Sequence, residues 1–419
     1  MKEIIKNKWT QILYNAKTSI KWIVFALLSG TVVGSIATLF HFAISIATMV
    51  REATPWVIFL LPVGGLVIVR CYRMVKDDKE LSTNSVLSAI HSNEKLPLKM
   101  APLIFVSTVI THLFGGSAGR EGAALQLGGS IGNGIGQLFR FNDNDKHIMI
   151  MCGMSAAFAA LFGTPMAAAI FSMEVISVGI MQYSALVPCV IASLSAFSIA
   201  QAFGVPQEIF LIEQVPNLTI ISAGKVSALA ILCAIVSIGF CVMLHQTEHL
   251  YKKLFKNPYL RIVVGGCLII ALTLLVGDQT YNGSGMHIVE ECMEGHVIPI
   301  AFLLKMVFTS LTIGAGYKGG EIVPSFFIGA TFGCLFGNLI GFNPALCTAV
   351  GMVSLFCGVT NCPITSLLIS FELFGYAGMP YYLLAVAFSY MLSGYYGLYS
   401  SQKIMYSKYR TKYINRKAG

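Results

Sequence analysis

Two glutamates stand inside apolar, glycine-rich stretches, where an ionisable side chain has chemistry available to it. Residues 115–136 read GGSAGREGAALQLGGSIGNGIG and place Arg120 beside Glu121; residues 314–333 read GAGYKGGEIVPSFFIGATFG and contain Glu321. Glycine allows a tight turn, and the residues that follow each glutamate are compatible with a helix. We therefore expect both carboxylates at or just before a helix N-terminus. Such an end carries about half a positive elementary charge and free N–H donors, which suit an anion.

A carboxylate at an anion site competes with the anion for the same place. When ionised, Glu121 occupies the site; when protonated, it leaves and admits an anion, which couples anion occupancy to proton occupancy. Glu321 offers a second proton-binding group. The alternative is that both residues only cap helices, as acidic side chains near N-termini commonly do. For Glu174 and Glu372, which follow other apolar segments, we expect a structural role.

The composition predicts a polytopic membrane protein without a separate soluble domain. Of 419 residues, 56% are hydrophobic and 11% are charged, about half the charged share of a typical soluble domain. The net charge of +9 is concentrated at the two ends of the chain, which predicts a cell-membrane protein with both termini in the cytoplasm and no nucleic-acid partner. The eleven cysteines include no CxxC, which supports neither a zinc site nor a disulfide framework. We expect no metal, no cofactor and no enzymatic activity.

The chain reads as two related halves. Without any gap, residues 153–174 align with residues 351–372, matching glycine, proline and glutamate positions. The same offset places Arg120 on Lys318 and Gly122 on Gly320. Apolar segments broken by glycine and proline at corresponding positions are typical of discontinuous helices around a central site. We therefore predict an all-α fold built as an inverted repeat, with many tilted, broken and re-entrant helices.

The predicted organisation has five parts. They are an N-terminal cytoplasmic segment at 1–18, a first membrane repeat at 19–203, a linker at 204–221, a second membrane repeat at 222–400, and a basic cytoplasmic tail at 401–419.

The motifs GREG (119–122) and KGGEIVP (318–324), with the proline-containing repeats, resemble the CLC family of anion channels and anion/proton antiporters. The resemblance spans residues 19–400. It implies a homodimer in the lipid bilayer with one pore per subunit, in which Glu121 is the external gating glutamate and halide anions and protons are the transported species. The residues it implies for the anion pathway are Gly119, Arg120, Gly122, Gly320, Ile322 and Val323.

Three departures are similar to the fluoride/proton antiporter branch of that family. The loop that binds the anion in chloride-type members corresponds here to ELSTNSVLSAI at residues 80–90, without a GSGIP motif; Val175 stands where an inner proton glutamate is expected; and Glu321 replaces an apolar residue. The loop residues that we match to the anion site are Ser82, Thr83 and Asn84, and Tyr399 resembles the pore-facing tyrosine. Against this branch, Ala123 and Val323 stand where threonine is usual.

Two other functions stay open at this point. A chloride or mixed-halide channel, or a chloride/proton antiporter of the same fold, would use the same gating glutamate. A more distant alternative is an intramembrane serine hydrolase, because residues 115–119 match GxSxG around Ser117; this motif needs a preceding strand and a histidine base, and the sequence predicts neither.

Overall fold

The computed structural model describes residues 2–75, 82–92, 94, 96–212 and 214–419. Within these residues the chain is mostly helical, as predicted. Met1 of the predicted N-terminal segment, Glu213 of the predicted linker, and Glu80 and Leu81 of the quoted loop lie outside the described residues.

The first half begins with a long helix and continues with shorter, broken ones. Its helices are α1 (Lys2–Ala53), α2 (Leu61–Met74, preceded by a 3₁₀ turn at Pro55–Leu60), α3 (Thr83–Ser92), α4 (Met100–Leu113), α5 (Glu121–Leu138), α6 (Asp143–Phe162), α7 (Pro165–Glu174) and α8 (Leu186–Ala202). Helix α1 includes most of the predicted N-terminal segment, so the boundary placed at residue 18 is not a break in the backbone.

The second half repeats this order. Its helices are α9 (Ile220–Leu254), α10 (Pro258–Val276), α11 (Met286–Met293), α12 (Ala301–Ala315), α13 (Ile322–Ile340), α14 (Pro344–Thr360), α15 (Pro363–Phe374) and α16 (Met379–Leu392). In the described part of the chain, seven helical segments are long and apolar enough to cross a membrane, and five further apolar helices are shorter. This mixture is the one that the broken hydrophobic segments predict.

Glycine allows the paired helices of each half to cross with their backbones in contact. A Cβ atom added to Gly128 of α5 would lie 2.1 Å from the carbonyl oxygen of Gly153 in α6, and one added to Gly329 of α13 would lie 2.4 Å from that of Gly351 in α14. Larger residues would force the helices apart, so these crossings hold α5 and α13 at the centre of each half.

Glu174 and Glu372 join the two halves reciprocally, which confirms their structural role. Glu174, at the end of α7, accepts hydrogen bonds from the N–H groups of Ile364 and Thr365 at the start of α15, at 3.0 and 2.8 Å. Glu372 accepts from Met166 and Ala167 at the start of α7, both at 2.9 Å. Each glutamate therefore caps the other half's helix, the exchange that a pseudo-two-fold axis requires.

A three-stranded sheet is present that the all-α prediction did not include. Strand β1 (Ser177–Val178) pairs in parallel with β2 (Lys403–Tyr406), and β2 pairs antiparallel with β3 (Tyr413–Lys417). The predicted basic tail at 401–419 is thus folded against the end of α7. Lys408 donates from this tail to Asn361 Oδ1 at 2.5 Å and Ser393 Oγ at 3.1 Å, which ties the chain just after Tyr399 to the second half.

Candidate functional site

The centre of the molecule is the point where two helix N-termini meet. The N–H of Gly119 donates to the carbonyl of Gly320 at 2.7 Å, and the N–H of Gly320 donates back to the carbonyl of Gly119 at 2.7 Å. Two residues later in each loop a helix starts, α5 at Glu121 and α13 at Ile322. Two positive helix ends are therefore held side by side in the interior, where they attract negative charge.

This pairing corrects the gap-free alignment of the two halves. Gly119, not Gly122, corresponds to Gly320, so Arg120 and Glu321 are the equivalent residues immediately before the helices. The offset is 201 residues here and 198 residues for Glu174 and Glu372. The segment from the start of α5 to the end of α6 is three residues longer than the corresponding segment from the start of α13 to the end of α14. An alignment without gaps can therefore be correct at only one end of this segment.

Glu121 is buried at the first position of α5, with 1% of its side chain exposed. Its Oε2 accepts from the N–H of Arg120 at 3.1 Å, and its Oε1 lies 3.4 Å from Nε of the same arginine. The carboxylate therefore lies against the free donors at its own helix end, the position expected of a group that competes with an anion.

Glu321 lies next to the same helix end but belongs to the other loop. Its Oε2 is 3.2 Å from the position that a Cβ on Gly122 would occupy. The Glu321 side chain makes no capping hydrogen bond to α13, and Oε2 is buried without a partner among the described residues. A purely capping role does not explain this oxygen, because a buried acceptor without a donor is costly.

A cavity of about 470 Å³ reaches Glu321 from one face of the protein. At its outer end lie half-exposed residues such as Glu248 and Lys252 of α9. At its inner end lie the predicted residues Ser82, Thr83, Asn84, Glu321 and Tyr399. Glu121 is not among the residues that line it.

The inner end of this cavity contains buried polar atoms, some of which have no hydrogen-bond partner among the described residues. Thr83 Oγ1 donates to the carbonyl of Gly122 at 3.4 Å and accepts from Gln126 Nε2 at 3.0 Å. The hydroxyl of Tyr399 and Oε1 of Gln126 are buried and have no partner among the described residues. Unsatisfied buried groups in a lined cavity indicate a site for water or a small ion.

The remaining predicted residues have other surroundings. Thr83 and Asn84, matched to a loop from the sequence, lie in the first turn of α3, and Ser82 directly precedes it. Asn84 Oδ1 accepts from the N–H of Ser401 at 3.0 Å, and the N–H of Ser82 donates to Ser85 Oγ at 3.2 Å, so these contacts fix the start of α3. The side chains of Ile322 and Val323 are buried in the first turn of α13 and do not line the cavity.

Ser117 does not have the surroundings of a hydrolase nucleophile. Its hydroxyl is fully buried and lies 3.0 Å from Thr309 Oγ1, and its N–H donates to Thr312 Oγ1. Nδ1 of the nearest histidine in sequence, His112, is occupied by the carbonyl of Thr108. Within the described residues no imidazole is hydrogen-bonded to Ser117 and no strand precedes it, so the geometry around Ser117 does not support the hydrolase alternative.

Three side chains around the site did not emerge from the sequence. Gln126 lies one turn beyond Gly122. An isolated amide in an apolar helix is the sequence feature that could have identified it. His41 and Glu208 both contact Arg120: Nη1 lies 2.9 Å from His41 Nδ1, and Nη2 lies 3.1 Å from Glu208 Oε1. His41 was detectable as an ionisable residue within an apolar span. Glu208, in the linker, carried no such signal.

The sequence model of voltage gated chloride channels matches residues 64–394. The chain is 35% identical over 93% of its length to a chloride/fluoride channel protein of Pseudomonas syringae pv. tomato, and covers 88% of that protein.

This chain belongs to the voltage-gated chloride channel (CLC) family. A crystal structure of a CLC-type fluoride/proton antiporter superposes with a TM-score of 0.89 at 31% identity, covering 92% of this chain and 98% of the other. The H(+)/Cl(-) exchange transporter ClcA of Vibrio campbellii is 23% identical over 85% of this chain and 82% of its own length. Both the family and the polytopic helical fold predicted from the sequence are confirmed.

The contact between the two loops makes a stability prediction. A Cβ on Gly320 would lie 2.4 Å from the backbone nitrogen of Gly122, so we expect Gly320→Ala to destabilise the purified protein by about 1–3 kcal/mol and to lower its unfolding temperature in detergent. The matched control is Gly224→Ala, whose Cβ would meet nothing within 4 Å on α9 and should be neutral or stabilising. Equal unfolding temperatures for the two variants would contradict the close approach of the loops.

Proposed function

We propose that this protein exchanges a small halide, preferentially fluoride, for protons across the cell membrane. The observation that carries the proposal is the pair of carboxylates at one helix N-terminus: Glu121 against the donors at the start of α5, and Glu321 with an unpaired oxygen beside Gly122. The family relationship and the names of two relatives, a chloride/fluoride channel protein and a fluoride/proton antiporter, support the same conclusion.

An ionised Glu121 and an anion exclude each other from the same site, which couples anion binding to the protonation of Glu121. Two negative charges about 4 Å apart repel by about 4 kcal/mol at an effective dielectric constant of about 20. That energy corresponds to roughly a thousandfold loss of anion occupancy. Protonation of Glu121 removes the repulsion, so an anion enters when a proton is bound and leaves when it is released.

Positive charge around the site favours the anion over a cation. The two helix N-termini that meet at Gly119 and Gly320 carry partial positive charge. Arg120 adds a full positive charge next to Glu121, with Nε 3.4 Å from Oε1 of that carboxylate.

Fluoride preference is supported by what lines the inner cavity. Glu321, when protonated, can donate a hydrogen bond, as can the hydroxyl of Tyr399, and fluoride is a strong, compact hydrogen-bond acceptor. A channel for chloride or mixed halides is the second candidate, because Ala123 and Val323 lack the hydroxyls usual in the fluoride branch. Two titratable carboxylates beside the path favour coupled exchange.

We further infer that the functional unit is a homodimer with one pathway per subunit and with both termini in the cytoplasm. The family resemblance supports the dimer. The basic residues that precede the first apolar segment and follow the last one support the orientation. Because Asn84 at this cavity is bonded to Ser401 at the start of the basic tail, we infer that the cavity that reaches Glu321 opens to the cytoplasm.

Glu121→Gln tests the gating role. Glutamine keeps the size of the side chain but cannot exchange a proton, so we expect anion-coupled proton uptake in proteoliposomes to fall at least tenfold while anion flux persists. Anion release and external pH are recorded together. Glu294→Gln is the control, because the Glu294 side chain is 76% exposed and its described ion pair is with His296, outside the site. Proton uptake at the wild-type rate in Glu121→Gln would refute the gating role.

Glu321→Gln tests the inner carboxylate. Its unpaired oxygen beside Gly122 indicates a group that changes its partner during the cycle, so we expect the exchange rate to drop at least tenfold in the same assay. If Glu321 were only a helix cap, the amide oxygen of glutamine would serve almost as well. Turnover equal to that of wild type would therefore assign Glu321 to structure.

A further inference from the structure

Arg120 holds two carboxylates, not one. Its Nε lies 3.4 Å from Glu121 Oε1, and its Nη2 lies 3.1 Å from Glu208 Oε1 in the segment between α8 and α9. The guanidinium also approaches His41 Nδ1 at 2.9 Å and donates to the carbonyl of Leu161 at 3.3 Å. Glu121 and Glu208 are therefore connected through one fixed cation.

The charge of this cluster favours the uptake of one proton. Arginine can only donate, so Nδ1 of His41 accepts and the imidazole is neutral. With both carboxylates ionised, Arg120, Glu121 and Glu208 sum to one negative charge. One added proton makes the sum zero, and a neutral cluster no longer repels an anion at the start of α5.

Exposure increases along the cluster from Glu121 to Glu208. The exposed fraction of the side chain is 1% for Glu121, 16% for Arg120 and 23% for Glu208. Glu208 is not among the residues that line the cavity leading to Glu321. One of its oxygens, Oε2, is buried and has no partner among the described residues, so it is available for a proton.

The electrostatics of Glu208 suit a group that changes protonation near neutral pH. It lies in the connecting segment, outside the membrane-spanning helices. Burial raises the pKa of its carboxyl to about 7, and the nearby charges of Glu121 and Glu290 act in the same direction, against the opposing effect of Arg120. Near pH 7 both protonation states are therefore populated.

We propose that Glu208 is the outer proton station of the exchange cycle, passing protons between the external solution and Glu121. A solution proton adds to Glu208; the protonated carboxyl gives that proton to the carboxylate of Glu121; and the Glu208 carboxylate that remains keeps its ion pair with Arg120. Each transfer conserves the proton and the total charge. This proposal rests on the proposed function, in which Glu121 is the gating carboxylate.

The test is the dependence of proton-coupled fluoride flux on external pH in Glu208→Gln. Glutamine keeps an oxygen for Arg120, so a residue that only tethers the arginine would be replaced without loss. In the wild type, proton uptake by Glu208 weakens as external pH rises through about 7, which predicts a step in rate there. We expect Glu208→Gln to slow proton-coupled flux at least fivefold at pH 6 and to abolish the step.

Two controls make the outcome decisive. Glu208→Asp retains a titrating group and should restore a pH step, whereas the exposed Glu294→Gln should behave as wild type. Glu208→Gln with a wild-type rate and step, or Glu208→Asp indistinguishable from Glu208→Gln, would overturn the proposal while leaving the gating role of Glu121 intact. Wild-type protein that moves anions without any proton uptake would overturn the proposed function itself.

Discussion

The structure depends on one constraint: two helix N-termini must meet in the interior of a membrane protein. The reciprocal backbone bonds between Gly119 and Gly320 satisfy four polar groups that would otherwise be stranded, and only glycines allow so close an approach. The positive ends of α5 and α13 are then too close to be left uncompensated. Glu121, Glu321 or a bound anion can supply negative charge there, and we propose that competition among these three is the physical basis of transport.

The duplication explains how this meeting point is held. Glu174 caps the start of α15 and Glu372 caps the start of α7, so the two halves hold each other across the pseudo-two-fold axis. The close contacts at Gly153 and Gly351 pack α6 against α5 and α14 against α13. The symmetry ends at the site itself. Arg120 and Glu321 occupy equivalent positions before the two helices. In the first loop the cation is followed directly by a carboxylate, whereas in the second loop Lys318 precedes the carboxylate by three residues.

Much of this could be predicted from the sequence because the signals are local. Glycines before a charged residue predicted the helix starts at Glu121 and near Glu321, and the broken hydrophobic segments predicted the fold. The features that the sequence did not predict depend on a length difference between the halves or on contacts between residues far apart in the chain. The three-residue difference between the halves is invisible without gaps, the strand pairing of the tail with β1 is non-local, and nothing in the linker indicated that Glu208 reaches Arg120.

In the proposed cycle, anion and proton movements are coupled through a fluoride-selective pathway. The most direct measurement uses liposomes that contain the purified wild-type protein and are loaded with either fluoride or chloride, with anion release and external pH recorded simultaneously. We expect rapid fluoride efflux, proton uptake in a fixed ratio to it, and little chloride efflux. Fast chloride efflux without any movement of protons would contradict it and would make the protein a channel.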